Sequence, residues 1–142
     1  MPNYDDDNIF ARIVRGELPS SRIFETDDFV AIMDVMPQSK GHCLLLPKAP
    51  SRNLLDASDE VLGKALPAVA RLARAAQAAF AADGVTISQF NEAPAGQTVF
   101  HLHFHVVPRY AGVELAHHAG GMADPTILAE QASAIRERLH TA

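Results

Sequence analysis

Apolar and polar positions alternate along this chain in two rhythms. Ile9, Phe10, Ile13 and Val14 recur at helical spacing, which predicts a short amphipathic helix over 7–15 that Gly16 would stop. Residues 1–7 ahead of it are polar and acidic, and are expected to fray. Leu18-Pro19 forces an extended exit from the helix. Arg22–Glu25 and Phe29–Val35 read as strands joined by a turn at Asp27-Asp28, and 37–41 as a loop. His42–Pro47 is a strand whose centre, Cys43–Leu46, is apolar on both faces and therefore central in a sheet.

Ser58-Asp59-Glu60 opens a helix with an N-cap and acid in the first turn. Pro67 should either kink that helix or begin a second one, and the alanine-rich stretch 68–82 carries helix on to a stop at Gly84. Val85–Phe90 reads as a strand, 91–97 as a turn-rich loop and Val99–Val107 as a long strand ended by Pro108. A loop over 111–124 follows, and Asp124-Pro125 caps a last helix reaching Leu139. Strands clustered around helices without regular alternation predict an α+β fold. It should have an antiparallel sheet of about five strands, a long helical segment on one face, a short N-terminal helix and a C-terminal helix.

A chain of 142 residues, 48% hydrophobic, can bury one core, so a single domain over 1–142 is expected, with its body at about 7–110 and an extension over 111–142. The net charge of −5 argues against a nucleic-acid interface, which would need a basic stripe, but leaves room for a small anion in a pocket. The start MPNYDDDN lacks the basic and apolar regions of a signal peptide, and no apolar run approaches the roughly 18 residues of a membrane span. The lone Cys43 forms no intramolecular disulfide and is expected as a small core residue. These features together predict a cytoplasmic protein without membrane partners.

The chemistry lies in Val99-Phe100-His101-Leu102-His103-Phe104-His105-Val106-Val107-Pro108. On a strand, His101, His103 and His105 share one face at roughly 6.5–7 Å spacing, leaving Leu102, Phe104 and Val106 for the helices. Packing alone has no use for such a row. Alternating imidazoles can share a metal ion. The loop just before offers Asn91, Gly96, Gln97 and Thr98, whose amides, hydroxyl and flexible backbone suit phosphate oxygens better than a closed metal shell. A neutral imidazole can attack phosphorus without charge repulsion and so divide one displacement into two. Its other nitrogen must donate to an acceptor, such as a backbone carbonyl of the same strand. A neighbouring imidazole can protonate the leaving group, and preset donors can hold the equatorial oxygens.

The run His101-Leu-His103-Phe-His105-Val-Val resembles the His-x-His-x-His-x-x signature of the histidine-triad (HIT) superfamily. Asn8-Ile-Phe-Ala-Arg-Ile-Val-Arg-Gly-Glu-Leu-Pro19 looks like the opening of its Hint-type branch. Ile32-Met-Asp34-Val-Met-Pro37 followed by Gly41-His42-Cys-Leu-Leu-Leu-Pro47-Lys48 looks like its nucleoside-binding segment. The resemblance implies that His103 becomes nucleotidylated, that His105 and His42 lie near the α-phosphate, and that His101 supports the nucleophile. It implies that Asp34 binds ribose hydroxyls, for which a carboxylate accepting from two vicinal hydroxyls is a sensible reason; a plain turn cap is the alternative. Ile9, Phe10, Ile13, Ile32 and Val35 would sandwich a purine base, and Asn91, Gly96, Gln97 and Thr98 would contact phosphate. A homodimer with a sheet continuous across both subunits is implied, and no cofactor.

Two departures stand out. Many bacterial relatives carry Cys-x-x-Cys where this chain has Asn8-Ile9-Phe10-Ala11, so His42 and His101 lack the thiolates that would complete a zinc site, and no metal is expected. Pro50 stands where Hint proteins often have histidine, and 95–99 and 108–112 look more like the fragile-histidine branch, which cleaves dinucleoside polyphosphates. The expected activity is hydrolysis at the α-phosphorus of purine nucleoside phosphoramidates. The alternatives are a dinucleoside polyphosphate hydrolase, a nucleotide-binding regulatory protein with incidental hydrolysis, and a metalloprotein. His117, His118 and His140 lie outside the matched region and are expected to be solvated.

Overall fold

The computed structural model describes residues 2–117 and 121–139. Five strands, β1 (Arg22–Glu25), β2 (Phe29–Met33), β3 (Cys43–Pro47), β4 (Gly84–Ser88) and β5 (Phe104–Arg109), form one sheet in the order β1-β2-β3-β5-β4. Every pairing is antiparallel, as the α+β reading expects. Helices α1 (Ile9–Val14), α2 (Asp59–Phe80) and α3 (Pro125–Leu139) complete the fold.

The central strands β2 and β3 are buried along their whole length, which is why they read as unbroken apolar runs. On one face, Ala31, Met33, Cys43, Leu45, Phe104 and Val106 meet Val69, Leu72 and Ala76 of α2 and Leu128, Ala132 and Ile135 of α3. On the other, Val30, Ile32, Leu44 and Leu46 meet Ile13, with Phe10, Val14 and Leu18 against them. The C-terminal segment is therefore part of the main core, and the short α1, with Leu18 beyond it, covers the opposite face.

Four sequence expectations are corrected. Residues 1–7 were expected to fray, yet Tyr4 is half-buried against His101. Gly84 does not stop the long helix: Ala81 ends it in the left-handed region at φ 50°, and Gly84 opens β4. Of the two readings of Pro67, the start of a second helix is excluded, because Pro67 lies inside one continuous α2. The histidine strand starts at Phe104, not Val99, because side chains claim the carbonyls a ladder would need. Gln97 Nε2 donates to Val99 O, and His103 Nδ1 donates to His101 O. The strand also runs through Pro108 to Arg109, since β3 has ended at the Cys43–Val106 pair and no partner on that side requires the missing N–H.

Among the described residues, no helix is long and apolar enough to cross a membrane. His118 and His140 lie outside the described residues; His117 is exposed.

Candidate active site

Two adjoining chambers meet at His103 and His105 on the α1 side of the sheet. The apolar chamber, about 140 Å³, is lined by Ile9, Phe10 and Ile13 of α1, by Ile32 and Leu44 of the sheet, and by Asp34 and Val35 beyond β2. The second, about 180 Å³, is lined by Gln38, Phe90, Gly96, Thr98 and the two histidines. Together they reach the lower end of the roughly 300–1,000 Å³ typical of small-molecule sites. All five expected base-contacting residues and Asp34 line the apolar chamber, Gly96 lines the second, and Thr98 lines both. Gly96 needs its glycine, because φ there is 103°.

The histidines are held by hydrogen bonds that define their protons. His103 Nδ1 lies 2.6 Å from His101 O, which can only accept, so Nδ1 carries the proton and Nε2 the lone pair. Phe10 packs edge-on against this ring at 4.7 Å between centroids. His101 is almost wholly buried; its Nε2 donates to Pro47 O at 2.7 Å and its Nδ1 accepts from the Tyr4 hydroxyl at 2.6 Å. Burial pushes the His101 pKa down, partly opposed by the Pro47 carbonyl, which favours the charged ring.

His42 follows the tight turn at Gly41, where φ is 90° and an added Cβ would meet Phe80 at 2.6 Å. The Gln38 amide donates to His42 Nδ1 at 3.0 Å, so the neutral ring carries its proton on Nε2. That nitrogen sits 2.9 Å from His105 Nδ1 and 3.3 Å from Asp34 Oδ2. His105 Nδ1 is then an acceptor, and His105 Nε2 carries a proton. Asp34 Oδ1 accepts from the Met36 amide at 2.8 Å, so the turn-cap reading of Asp34 is realised beside its place in the pocket wall.

Asn91 and Gln97 do not face either chamber. Gln97 is buried, and its four hydrogen bonds are internal: Oε1 accepts from Asn53 Nδ2 and the Glu92 amide, and Nε2 donates to Arg52 O and Val99 O. Asn91 binds the Leu54 amide and Gln89. Both hold the loop, and the expectation that their side chains contact phosphate is corrected on that ground. Sequence reasoning missed Tyr4, Gln38, Asn53 and the Arg52–Glu92 ion pair at 2.8 Å that ties this loop to the segment after β3. A buried amide pair such as Asn53 and Gln97 leaves no mark in hydrophobic periodicity.

Asp34, His42 and His105 bring donor atoms within 4.8 Å of one another, of a type a divalent ion accepts. With Gln38 on His42 Nδ1, a proton on Nε2 bridges the three. His101 is not in this cluster: its nitrogens meet Pro47 O and the Tyr4 hydroxyl, whereas those of His42 meet the Gln38 amide, His105 and Asp34. A zinc site of the cysteine-pair type does not fit this chain. Asn8 is used as the N-cap of α1, Ala11 has no donor, and both nitrogens of His101 are engaged.

The HIT domain family matches residues 15–112, and the chain belongs to it. A Hit-like protein involved in cell-cycle regulation from Bartonella henselae has a solved structure with 50% identity and a TM-score of 0.90, covering 96% of this chain and 99% of that one. A zinc-bound histidine triad family protein from Mycobacterium smegmatis is 35% identical with a TM-score of 0.84, covering 95% and 94%. Among curated relatives, the adenosine 5'-monophosphoramidase of Saccharomyces cerevisiae is 38% identical over 71% of this chain and 61% of its own length.

Proposed function

We propose that the protein is a nucleotide hydrolase that cleaves purine nucleoside phosphoramidates at the α-phosphorus through a nucleotidyl–His103 intermediate. The observation that carries this reading is the tautomer of His103: with Nδ1–H on His101 O, Nε2 bears the lone pair that attacks, on a ring that lines both the apolar and the polar chamber. The base lies among Ile9, Phe10, Ile13, Ile32 and Val35, and Asp34 accepts from ribose. His103 Nε2 bonds to phosphorus while the P–N bond of the substrate breaks. The amine leaves with the His105 Nε2 proton while His105 Nδ1 draws on the His42 proton, and the water of the second step gives its proton back to this pair. Water then displaces His103 from phosphorus. Thr98 and backbone amides near Gly96 receive the equatorial oxygens. The yeast relative's name supports the phosphoramidate class. A homodimer with a sheet continuous across both subunits belongs to the same reading.

The test is a panel of AMP–amine conjugates with rapid acid quench and mass spectrometry. An adenylyl adduct on His103 is expected; turnover with no adduct, or an adduct on another residue, overturns the proposal.

A further inference from the structure

His101 poses a problem of valence that the triad alone does not solve. Its Nε2 must donate, because Pro47 O can only accept. Its Nδ1 is then a lone pair on a ring about 1% exposed, where an unpartnered acceptor carries a full desolvation cost. The only hydrogen-bond partner the structure gives that atom among the described residues is the Tyr4 hydroxyl, at 2.6 Å, with the two rings edge to face at 5.8 Å. Tyr4 comes from the segment that its sequence marks as polar and frayed.

That segment is tied down. Asn8 Nδ2 donates to Asp5 O at 2.7 Å while Asn8 Oδ1 accepts from the Ala11 amide at 2.8 Å. Arg15 Nη1 donates to Asp6 O at 2.8 Å. Asn8 therefore closes a turn that aims Tyr4 at His101 and starts the helix that carries Phe10 onto His103.

We propose that Tyr4 is a positioning residue for the nucleophile: its hydroxyl satisfies the Nδ1 lone pair that the Pro47 contact leaves on His101 and so holds the plane of that ring, whose carbonyl in turn fixes His103 Nδ1. Tyr4 takes the one lone pair of the neutral His101 ring, the atom a metal ion would need, so this chain supports its first triad histidine with a hydroxyl and a capped turn. The chain of contacts runs Asn8, Asp5, Tyr4, His101, His103, and ends at the reacting nitrogen.

The inference rests on His103 as nucleophile. The experiment compares wild type with Tyr4→Phe, which keeps the ring and removes the donor. Two-bond ¹H–¹⁵N spectra of histidine-labelled protein report the tautomers, and steady-state kinetics on an AMP–amine conjugate report turnover. In Tyr4→Phe the His101 Nδ1 resonance moves toward that of a non-hydrogen-bonded imidazole nitrogen. The kcat falls about three- to ten-fold, the range one neutral hydrogen bond allows, with KM within about two-fold. An unchanged His101 spectrum overturns the proposal. So does an altered spectrum with unchanged kcat, or a loss confined to KM, which would make Tyr4 a pocket wall. If wild type itself shows no turnover, the nucleophile reading fails separately, and the His101 spectrum still decides whether Tyr4 sets that ring.

Discussion

His103 Nδ1 and the carbonyl oxygen of His101 lie 2.6 Å apart, so the main chain two residues upstream sets which nitrogen of His103 can react. The interaction also removes that carbonyl from the sheet and delays β5 until Phe104. Replacing His103 by Ala removes the attacking atom while the apolar chamber and Asp34 remain. We expect kcat to fall at least a hundred-fold, as loss of a covalent route does, with AMP still binding by calorimetry. Retention of more than about a tenth of wild-type kcat would reject the nucleophile assignment.

Asp34 does two things that one substitution can separate. Its Oδ1 caps the turn at Met36, and its Oδ2 faces His42 beside the pocket. Asp34→Asn keeps an acceptor for the Met36 amide but replaces a carboxylate oxygen by a donor. A charge-assisted hydrogen bond is worth about 1.5–3 kcal/mol, so the preference for ribo- over 2′-deoxyribonucleotides should drop about ten-fold or more in relative kcat/KM. A ribose preference equal to wild type would leave Asp34 with the turn alone.

How much of this was legible in the sequence depends on what each element owes to periodicity. The apolar runs of β2 and β3, the alanine-rich α2 and the Asp124-Pro125 start of α3 are written in local pattern, and they fixed the fold class. The triad and the wall of the apolar chamber followed from alternation and family resemblance. Tyr4 did not, because a single tyrosine among aspartates carries no period; only the long-range contact with His101, 97 positions away, gives it meaning. Gln97 looked like a ligand because amides suit phosphates, but amides suit buried loops equally, and only the partners Asn53, Glu92, Arg52 and Val99 decide between the two.

That distinction is measurable at Gln97. Gln97→Leu fills similar space but leaves the Arg52 and Val99 carbonyls and the Glu92 amide without their partner. Each buried unsatisfied group costs about 1–3 kcal/mol, and solvent entering the loop relieves part of it. We expect a loss of about 2–4 kcal/mol in urea unfolding, with the Kd for AMP in the folded state changed by less than about five-fold. A stable variant with strongly weakened AMP binding would return Gln97 to the phosphate contacts.

The buried His101 also predicts a pH dependence of stability. Its pKa is lowered in the folded protein, first by burial, so the unfolded chain binds its proton more readily. Stability is therefore fully present above the ordinary histidine pKa of about 6.5 and declines as pH falls through and below it. Urea midpoints measured from pH 8 to pH 5 should decline, and His101→Asn, less stable throughout, should show a shallower decline. Parallel curves for the two proteins would remove His101 as a source of the dependence.

The last prediction concerns the leaving group. An amine departs from phosphorus only when its nitrogen is protonated, so a P–N substrate demands a proton donor at the bridging atom. His105 Nε2 carries a proton because its Nδ1 accepts from His42, and His105 lines both chambers. A polyphosphate departs readily without protonation but brings several negative charges that need cations. Among the described residues, neither chamber has a lysine or arginine in its wall. The cations nearest in sequence are engaged elsewhere: Lys48 bonds Glu25 at 2.7 Å, Arg52 holds Glu92, and Arg109 reaches Thr86 on the sheet. We therefore expect an AMP–amine conjugate to be cleaved with at least ten-fold higher kcat/KM than diadenosine tri- or tetraphosphate, about 1.4 kcal/mol in transition-state binding. Both substrates should be measured on one preparation at one ionic strength, because added salt screens the charges of the polyphosphate more than the neutral amine end of the conjugate. A ten-fold preference for the dinucleotide would mean that a cation reaches the site from outside these walls, and would reverse the substrate ranking while leaving His103 in its role.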